Sequence, residues 1–224
     1  MTEAFTPPAV APKAIITAIE ITRHRHHFDP PFNASWDSKP RTFWDAAIVR
    51  VHTDLGVTGI GSGDMMLGFE GHEHLFVGQD AMAIERHWRI LNNISFHWGR
   101  CWPLDIALWD LAGKIAGQPC WKLIGGLTGL RRVGLMAQEH NLVFTPHTWT
   151  NGVGVVANAH LTAGIADAPF LEFPYDPPEW DVDRRDYMMA EPLNVDKAGN
   201  IVLTDRPGMG FELAEDMLAR TRTG

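Results

Sequence analysis

Short runs of alternating apolar and polar residues near the start of the chain predict β-strands. Between residues 42 and 53, Trp44 and Ile48 fall on one face while Val49 and Val51 fall on the other. A tight turn then leads back into a third strand. The pattern predicts a three-stranded meander, with strands at residues 14–23, 42–53 and 57–61, long loops at 24–41 and 61–78, and a loose tail at 1–13.

One helix with a continuous apolar stripe is predicted to start at residue 103. Leucines and an isoleucine recur at helical spacing from Leu104 to Ile115, and Gly117 predicts the left-handed residue that ends the helix. Asp110 stands four residues before Lys114, which predicts a favourable ion pair on the helix surface.

The same rules predict the remaining elements. Helices are expected at residues 80–92, 131–141, 153–166 and 211–220, strands at 142–145, 170–173 and 200–203, and a loop at 174–185. Because strands precede helices in the first half, the pattern indicates an α+β domain there.

Composition narrows the class of protein. The 224 residues are 45% hydrophobic and 21% charged, with a formal net charge of −8, so we expect no nucleic-acid partner. We also expect no membrane association, because the chain shows neither a secretory signal nor an apolar run of about 20 residues. Two cysteines form no disulfide framework, which predicts a cytoplasmic protein.

Several motifs resemble those of a known family. The run Leu104-Asp105-Ile106-Ala107-Leu108-Trp109-Asp110, followed by Leu123-Ile124-Gly125-Gly126, resembles the end of the capping domain in the mandelate racemase/muconate lactonizing enzyme group of the enolase superfamily. Thr145-Pro146-His147-Thr148-Trp149 resembles that group's seventh barrel strand, and Leu171-Glu172-Phe173 resembles the eighth. The resemblance implies an α+β capping domain at residues 14–126, followed by a (β/α) barrel.

The barrel that the resemblance implies is incomplete here. A whole (β/α)₈ barrel takes about 250 residues, whereas only residues 127–224 follow the predicted cap. We therefore expect a C-terminal remnant that holds strands seven and eight and the return to the cap, with strands one to six missing. Our hypothesis for the join is an in-frame deletion between two similar glycine-rich stretches. Unpaired strand edges in the remnant predict association with a second copy of the chain.

The resemblance also implies a chemistry. In this family a Mg²⁺ ion stabilises the enolate that forms when a base removes the proton α to the carboxylate of a hydroxy acid or sugar acid. His147 matches the base of strand seven, and Glu172 matches the strand-eight acid that hydrogen-bonds the enolate. No residue matches the metal ligands or the lysine base, so we expect an inactive dehydratase or racemase that does not bind Mg²⁺. The alternative is a non-catalytic remnant or an oligomerising cap module.

Other candidate residues lie in the two predicted loops. Phe28, Trp36 and Met65 could line a substrate pocket, or they could simply pack against a barrel. The histidine cluster at 24–27 has no partner at zinc-finger spacing, so we interpret it as a surface loop. The glycine-rich residues 59–63 lack the spacing of a dinucleotide-binding turn.

Overall fold

The computed structural model describes residues 13–97, 99–123, 128–165 and 168–223. A three-stranded antiparallel sheet comes first, in the order β1-β2-β3, and helices follow. The elements are β1 Ile16–Phe32, β2 Arg41–Thr53, β3 Thr58–Gly63, α1 Ile84–His97, α2 Trp102–Ala116, α3 Thr128–Glu139, α4 Gly152–Ala163, α5 Val182–Arg185 and α6 Glu215–Thr221, with short 3₁₀ turns at Glu73–Leu75 and Cys120–Leu123.

The predicted meander is confirmed, but its first strand is longer than predicted. β1 continues through the residues predicted as a loop. It stays paired with β2 from His24 opposite Ala46 to His27 opposite Phe43, and after an irregularity Phe32 lies opposite Arg41. Its buried positions in this part include His24, Phe28 and Phe32, which recur every four residues on one face of the strand. Histidines and prolines concealed this periodicity in the sequence. The connection to β2 therefore shortens to residues 33–40.

β3 lies directly against α2 because its glycines have no side chain to hold the helix away. A Cβ at Gly61 would overlap the carbonyl oxygen of Pro103, and one at Gly59 would overlap that of Ala107. This close approach explains the glycine-rich run at residues 59–63 as a packing feature. The predicted end of α2 is confirmed, because Gly117 has a φ of 62°.

The ion pair predicted for the surface of α2 does form, but its acidic partner is buried. Asp110 and Lys114 do form an ion pair, with Lys114 Nζ 2.6 Å from Asp110 Oδ2, but the Asp110 side chain is only 2% exposed. The prediction of a single apolar stripe does not hold for α2, because the helix is buried on nearly all sides from Pro103 to Gly113.

In the second half of the chain the described residues form helices α3 to α6 joined by long irregular segments, and the strands predicted there are wrong. Residues 142–145, 170–173 and 200–203 form no ladder within the described ranges; only an isolated bridge joins Val195 to Ile201. The local apolar runs suit strands, but a strand needs a neighbour to pair with, and the described residues supply none. The described residues thus form an α+β cap, and no closed barrel forms among them.

The C-terminal segment returns to the cap. Arg222 forms an isolated antiparallel β-bridge with His24 of β1. The Arg50 guanidinium donates to Glu215 at the start of α6 at 2.8 Å. Gly208 also forms an isolated parallel β-bridge with Pro119, beyond the end of α2. No helix among the described residues is long and apolar enough to cross a membrane.

Candidate functional site

The segment from Pro146 to Asn151 carries the candidate base and connects two parts of the fold. Asn151 is the N-cap of α4, and its side-chain oxygen accepts a hydrogen bond from Gly154 N at 3.2 Å. The same side chain donates to Ser62 Oγ of β3 at 2.9 Å. Because Asn151 is buried and bonded on both sides, it fixes the segment between the cap sheet and α4.

His147 and Glu172 meet directly. The Nδ1 atom of His147 lies 2.7 Å from Glu172 Oε2, and the His147 side chain is 82% exposed. The backbone N–H of Thr148 donates to the same glutamate oxygen. Two donors therefore converge on one carboxylate, and the sequence did not predict that these two residues would be partners.

Thr148 lies next to this pair and is hydrogen-bonded to helix α4. Its side chain is buried, and its hydroxyl accepts a hydrogen bond from Asn158 Nδ2 of α4 at 2.7 Å. That bond leaves Asn158 Oδ1 buried with no partner among the described residues. The backbone that donates to Glu172 is thus held by a side-chain bond to α4.

A cavity of about 480 Å³ opens beside the pair. It is lined by residues of α1, α2, α3 and α4 and by the segment at 147–150, and His147 is one of them. Three tryptophans, Trp88, Trp102 and Trp149, give it apolar walls, and Arg100 and Asp105 bring charges of opposite sign. Its volume and mixed lining suit a small molecule.

Asp105 is a buried acid that sequence reasoning missed. It lies on α2 and lines the cavity, and Thr128 donates to it from the backbone N–H at 2.7 Å and from the hydroxyl at 2.9 Å. Burial raises the pKa of Asp105 to about 6, and the two bonds from Thr128 oppose that rise. The available signal was a charged residue flanked by Leu104 and Ile106 in a mostly apolar helix.

The predicted substrate residues do not gather at this cavity, as far as the described residues define it. Phe28 is 6% exposed and packs edge-on against Trp180, at 5.7 Å between ring centroids. Trp36 is half exposed and makes an edge contact with Trp149 at 4.9 Å, so it lies next to a cavity wall. Met65 offers its backbone oxygen to Arg23 Nε at 3.2 Å. Their roles in binding a substrate stay predictions.

The histidine cluster at 24–27 lies in strand β1, so its interpretation as a surface loop is wrong. His24 is buried, with Nε2 at 2.8 Å from Thr22 Oγ1 and Nδ1 at 3.1 Å from the Leu218 oxygen. Burial lowers the pKa of His24. His26 stacks on Tyr187 with ring centroids 4.4 Å apart.

The donor set does not fit a hard divalent cation. Within the described ranges, no three His, Cys, Asp or Glu side chains come together as a possible metal site. The acid bonded to the candidate base and the acid in the cavity wall are both engaged, Glu172 by His147 and Asp105 by Thr128. The part of the chain that the structure describes therefore offers no cluster of free carboxylates for Mg²⁺.

Comparison with solved structures places the fold in one class. The chain superposes on a racemase from Streptomyces coelicolor A3(2) with bound magnesium, with a TM-score of 0.76 and 15% identity, over 93% of this chain and 100% of that chain. Residues 16–125 match the mandelate racemase/muconate lactonizing enzyme N-terminal domain, and residues 116–217 match the enolase C-terminal domain-like family. The chain belongs to the mandelate racemase/muconate lactonizing enzyme group of the enolase superfamily.

Curated relatives include sugar-acid dehydratases. A D-galactonate dehydratase family member from Pseudarthrobacter chlorophenolicus is 36% identical over 107 residues, which cover 41% of this chain and 25% of that protein. A D-mannonate dehydratase from Xanthomonas oryzae pv. oryzicola is 31% identical over 111 residues, with the same coverages of 41% and 25%. The chain thus spans about a quarter of the length of these curated relatives.

Proposed function

We propose that this chain descends from Mg²⁺-dependent sugar-acid dehydratases or racemases, that it still binds a small carboxylic acid, and that it does not perform their Mg²⁺-dependent abstraction of an α-proton. Its cap would be residues 14–126 and its barrel remnant residues 127–224. The support for descent is the family membership together with relatives that are dehydratases of sugar acids.

The observation that carries the loss of the metal-dependent reaction is the engagement of Glu172. This acid matches the family position that hydrogen-bonds an enolate, yet its Oε2 atom is occupied by His147 Nδ1 at 2.7 Å and by the Thr148 N–H. An enolate needs concentrated positive charge or strong donors to stabilise it. The pairing removes Glu172 from that role, and the described carboxylates provide no cation site to replace it.

The cavity supports the retained binding of a small acid. Arg100 lines it beside the His147 ring, and its guanidinium can present a positively charged donor to a carboxylate. Asn92 and Ser95 add polar groups that suit hydroxyls of a sugar acid.

Two measurements test this proposal. Mg²⁺ is titrated by calorimetry into the purified chain, with EDTA-treated protein as the control and a full-length D-mannonate dehydratase as the positive reference. We expect no binding at millimolar Mg²⁺, and stoichiometric binding contradicts the proposal. In D₂O, proton NMR of D-mannonate and D-galactonate should show no Mg²⁺-dependent loss of the α-proton signal.

Binding of the acid is tested separately through the tryptophans of the cavity. Titration with D-mannonate should change the intrinsic fluorescence, because Trp88, Trp102 and Trp149 line the cavity. The exposed His147→Gln variant should weaken the change, whereas His140→Gln, at an exposed position after α3, should leave it intact. An identical response in wild type and His147→Gln would show that the acid does not bind in this cavity.

A second candidate function is that of an oligomerising module. Large apolar side chains are exposed on α3 and in the segment after it, including Val133 at 51%, Met136 at 60% and Val143 at 67%. Exposed apolar surface of this kind is typical of contact regions.

A further inference from the structure

A second cavity, of about 490 Å³, lies between α1 and the short 3₁₀ turn that precedes it. Its polar lining consists of Arg89, Asn93 and His97 of α1 and of His72, the residue before the turn. Among the described residues it shares no lining residue with the cavity of about 480 Å³, although α1 contributes to both. The two cavities are therefore separate candidate sites.

Helical spacing brings three of these polar groups to one face of α1. Arg89, Asn93 and His97 follow one another at intervals of four residues, and side chains at this spacing lie one above another along a helix. Trp88 and Asn92, which line the other cavity, each stand one position earlier, about 100° around the helix. Helix α1 thus presents different faces to the two cavities.

His72 lines the cavity from the side of the turn, and its ring is held in place. Its Nδ1 atom lies 3.1 Å from the Phe69 oxygen, so Nδ1 carries a proton, because a carbonyl oxygen only accepts. The Phe69 ring lies beside the imidazole, with ring centroids 6.4 Å apart. Nε2 is the atom left to bond a ligand, and it becomes a donor when the ring is protonated, a state that a bound anion favours.

The charges that line this cavity have one sign, although the whole chain has a formal net charge of −8. The lining holds Arg89 and two histidines and, within the described ranges, no aspartate or glutamate. A concave site whose charges share one sign concentrates ligands of the opposite sign. The cavity therefore favours an anion.

The acids of the neighbouring turn are engaged away from the lining. Glu70 pairs with Arg23, and Glu73 accepts a hydrogen bond from the backbone N–H two residues before it at 2.8 Å. In contrast, Arg86 donates to the backbone oxygen of Leu75, a lining residue, at 3.1 Å. This contact brings a further positive charge next to the cavity.

We propose that this cavity binds the phosphate monoester of a small organic molecule. The site is separate from the cavity assigned to a carboxylic acid, so the inference goes beyond the proposed function.

The number and kind of donors favour a phosphate monoester over a carboxylate. A carboxylate offers two oxygens in one plane, whereas a phosphate monoester offers three terminal oxygens in a tetrahedral arrangement. The guanidinium of Arg89 can donate two parallel hydrogen bonds to such a group, and the Asn93 amide and the two imidazoles supply the others.

The apolar part of the lining favours an organic group on the phosphate. It consists of Leu75, Ile90 and Ile94, and Ile94 is only 4% exposed. A bare phosphate ion gains nothing from these side chains, whereas an attached organic group buries apolar surface against them.

NMR of the ¹⁵N-labelled histidine rings in the full chain tests the site, with phenyl phosphate as the ligand. The signals of His72 and His97 should move on titration. His160 should not respond, because its ring is buried and lies 3.0 Å from the Met209 oxygen through Nε2. Lack of any response at millimolar phenyl phosphate overturns the proposal, as does a response at His147 in place of His72 and His97.

Inorganic phosphate is the comparison that separates a monoester site from a simple ion site. It should move the same two histidine signals with about fivefold weaker affinity, because it leaves the apolar lining unused. Equal affinities for inorganic phosphate and phenyl phosphate overturn the assignment to a monoester.

A pair of arginine variants tests the role of the lining guanidinium. Arg89→Gln loses the charge and the paired donors, so it should weaken the binding of phenyl phosphate by about tenfold or more. Arg220→Gln, at an exposed position on α6, is the matched control and should bind as the wild-type chain does. An unchanged His160 signal shows that each variant is folded. Equal affinities of the two variants overturn the proposal, because overall charge alone would then account for the attraction.

The same spectra keep this site apart from the proposed function. D-mannonate should move the signal of His147 and leave those of His72 and His97 in place. A chain in which D-mannonate moves no histidine signal contradicts the binding of a carboxylic acid beside His147. A chain that responds to D-mannonate at His147 and shows no response of His72 and His97 to phenyl phosphate refutes only the phosphate site.

Discussion

Asp110 of α2 accepts a hydrogen bond from the backbone nitrogen of Met209 at 2.8 Å, across 99 residues of sequence. Its other carboxylate oxygen accepts from Ile60 N of β3 at 2.8 Å and pairs with Lys114 Nζ at 2.6 Å. One buried side chain thus joins the cap sheet, the cap helix and the C-terminal segment. Burial raises the pKa of Asp110, while Lys114 opposes the rise.

Replacement of Asp110 by Ala should destabilise the whole chain. Two backbone N–H groups, of Ile60 and Met209, would lose their acceptor, and each such buried group costs about 1–3 kcal/mol. We expect the free energy of unfolding in urea to fall by about 2–5 kcal/mol. The control is Asp216→Ala, which breaks an exposed pair with Arg220 and should change the unfolding midpoint little. Equal effects of the two substitutions would contradict the role of Asp110.

Gly61→Ala should also be strongly destabilising, for a steric reason. The added Cβ would overlap the Pro103 oxygen and lie 2.7 Å from Ala107 N, and both atoms belong to the backbone of α2, so no side chain can move aside. We expect a loss of about 3 kcal/mol in the free energy of unfolding. Gly129→Ala is the matched control, because its nearest contact is Trp88 Nε1 at 3.5 Å. In helix α3 that substitution should be neutral or slightly stabilising, and the prediction is wrong if Gly61→Ala behaves alike.

Asp105 should make stability depend on pH in the direction opposite to most aspartates. Burial raises its pKa to about 6 in the folded chain, above the value of about 3.9 in an unfolded chain. The folded state therefore holds the proton more tightly, so this contribution to stability is fully present below about pH 4 and is lost as the pH rises through 6. Relative to Asp105→Asn, the wild-type chain should lose about 2 kcal/mol between pH 4 and pH 7.

Urea denaturation of both proteins at a series of pH values measures this difference. The amide oxygen that Asp105→Asn introduces can still accept a hydrogen bond from the Thr128 N–H, so the variant should fold. Parallel stability curves for the two proteins across this range would show that Asp105 has the same pKa in the folded and unfolded states.

The sequence predicted the elements whose signals are local. The meander and α2 follow from alternation and helical spacing, and the ends of α2 follow from its proline and glycine. Residues 24–32 were missed as a strand because His24 and its neighbours are polar, yet His24 is buried through bonds to Thr22 and to Leu218 of α6. Leu218 stands 194 residues away in the sequence, so this partner leaves no local pattern.

In the candidate site, too, residues in local motifs were predicted and contacts between distant residues were not. His147 and Glu172 were recognised individually from motifs, but their contact with each other was not predicted. It depends on how two irregular segments, which pair with no strand, pack against each other. Asp105 was missed because its partner Thr128 stands 23 residues away. Residues 142–145 have the composition of a strand, but strands are stabilised by pairing and the described residues provide none.

Self-association is the remaining prediction, and it follows from side chains that the fold leaves exposed. On α3, Leu130 and Ala137 pack inward against a small apolar cluster, whereas Val133 and Met136 point outward and are more than half exposed. Burying such side chains against a second copy gains about 25 cal/mol for each Å² of apolar surface. Light scattering at micromolar concentration should therefore report a species larger than a monomer, and the double variant Val133→Lys/Met136→Lys should shift it toward the monomer. Asn93→Lys, at an exposed polar position on α1, is the control and should not change the size. A monomeric wild-type chain at these concentrations would contradict the prediction.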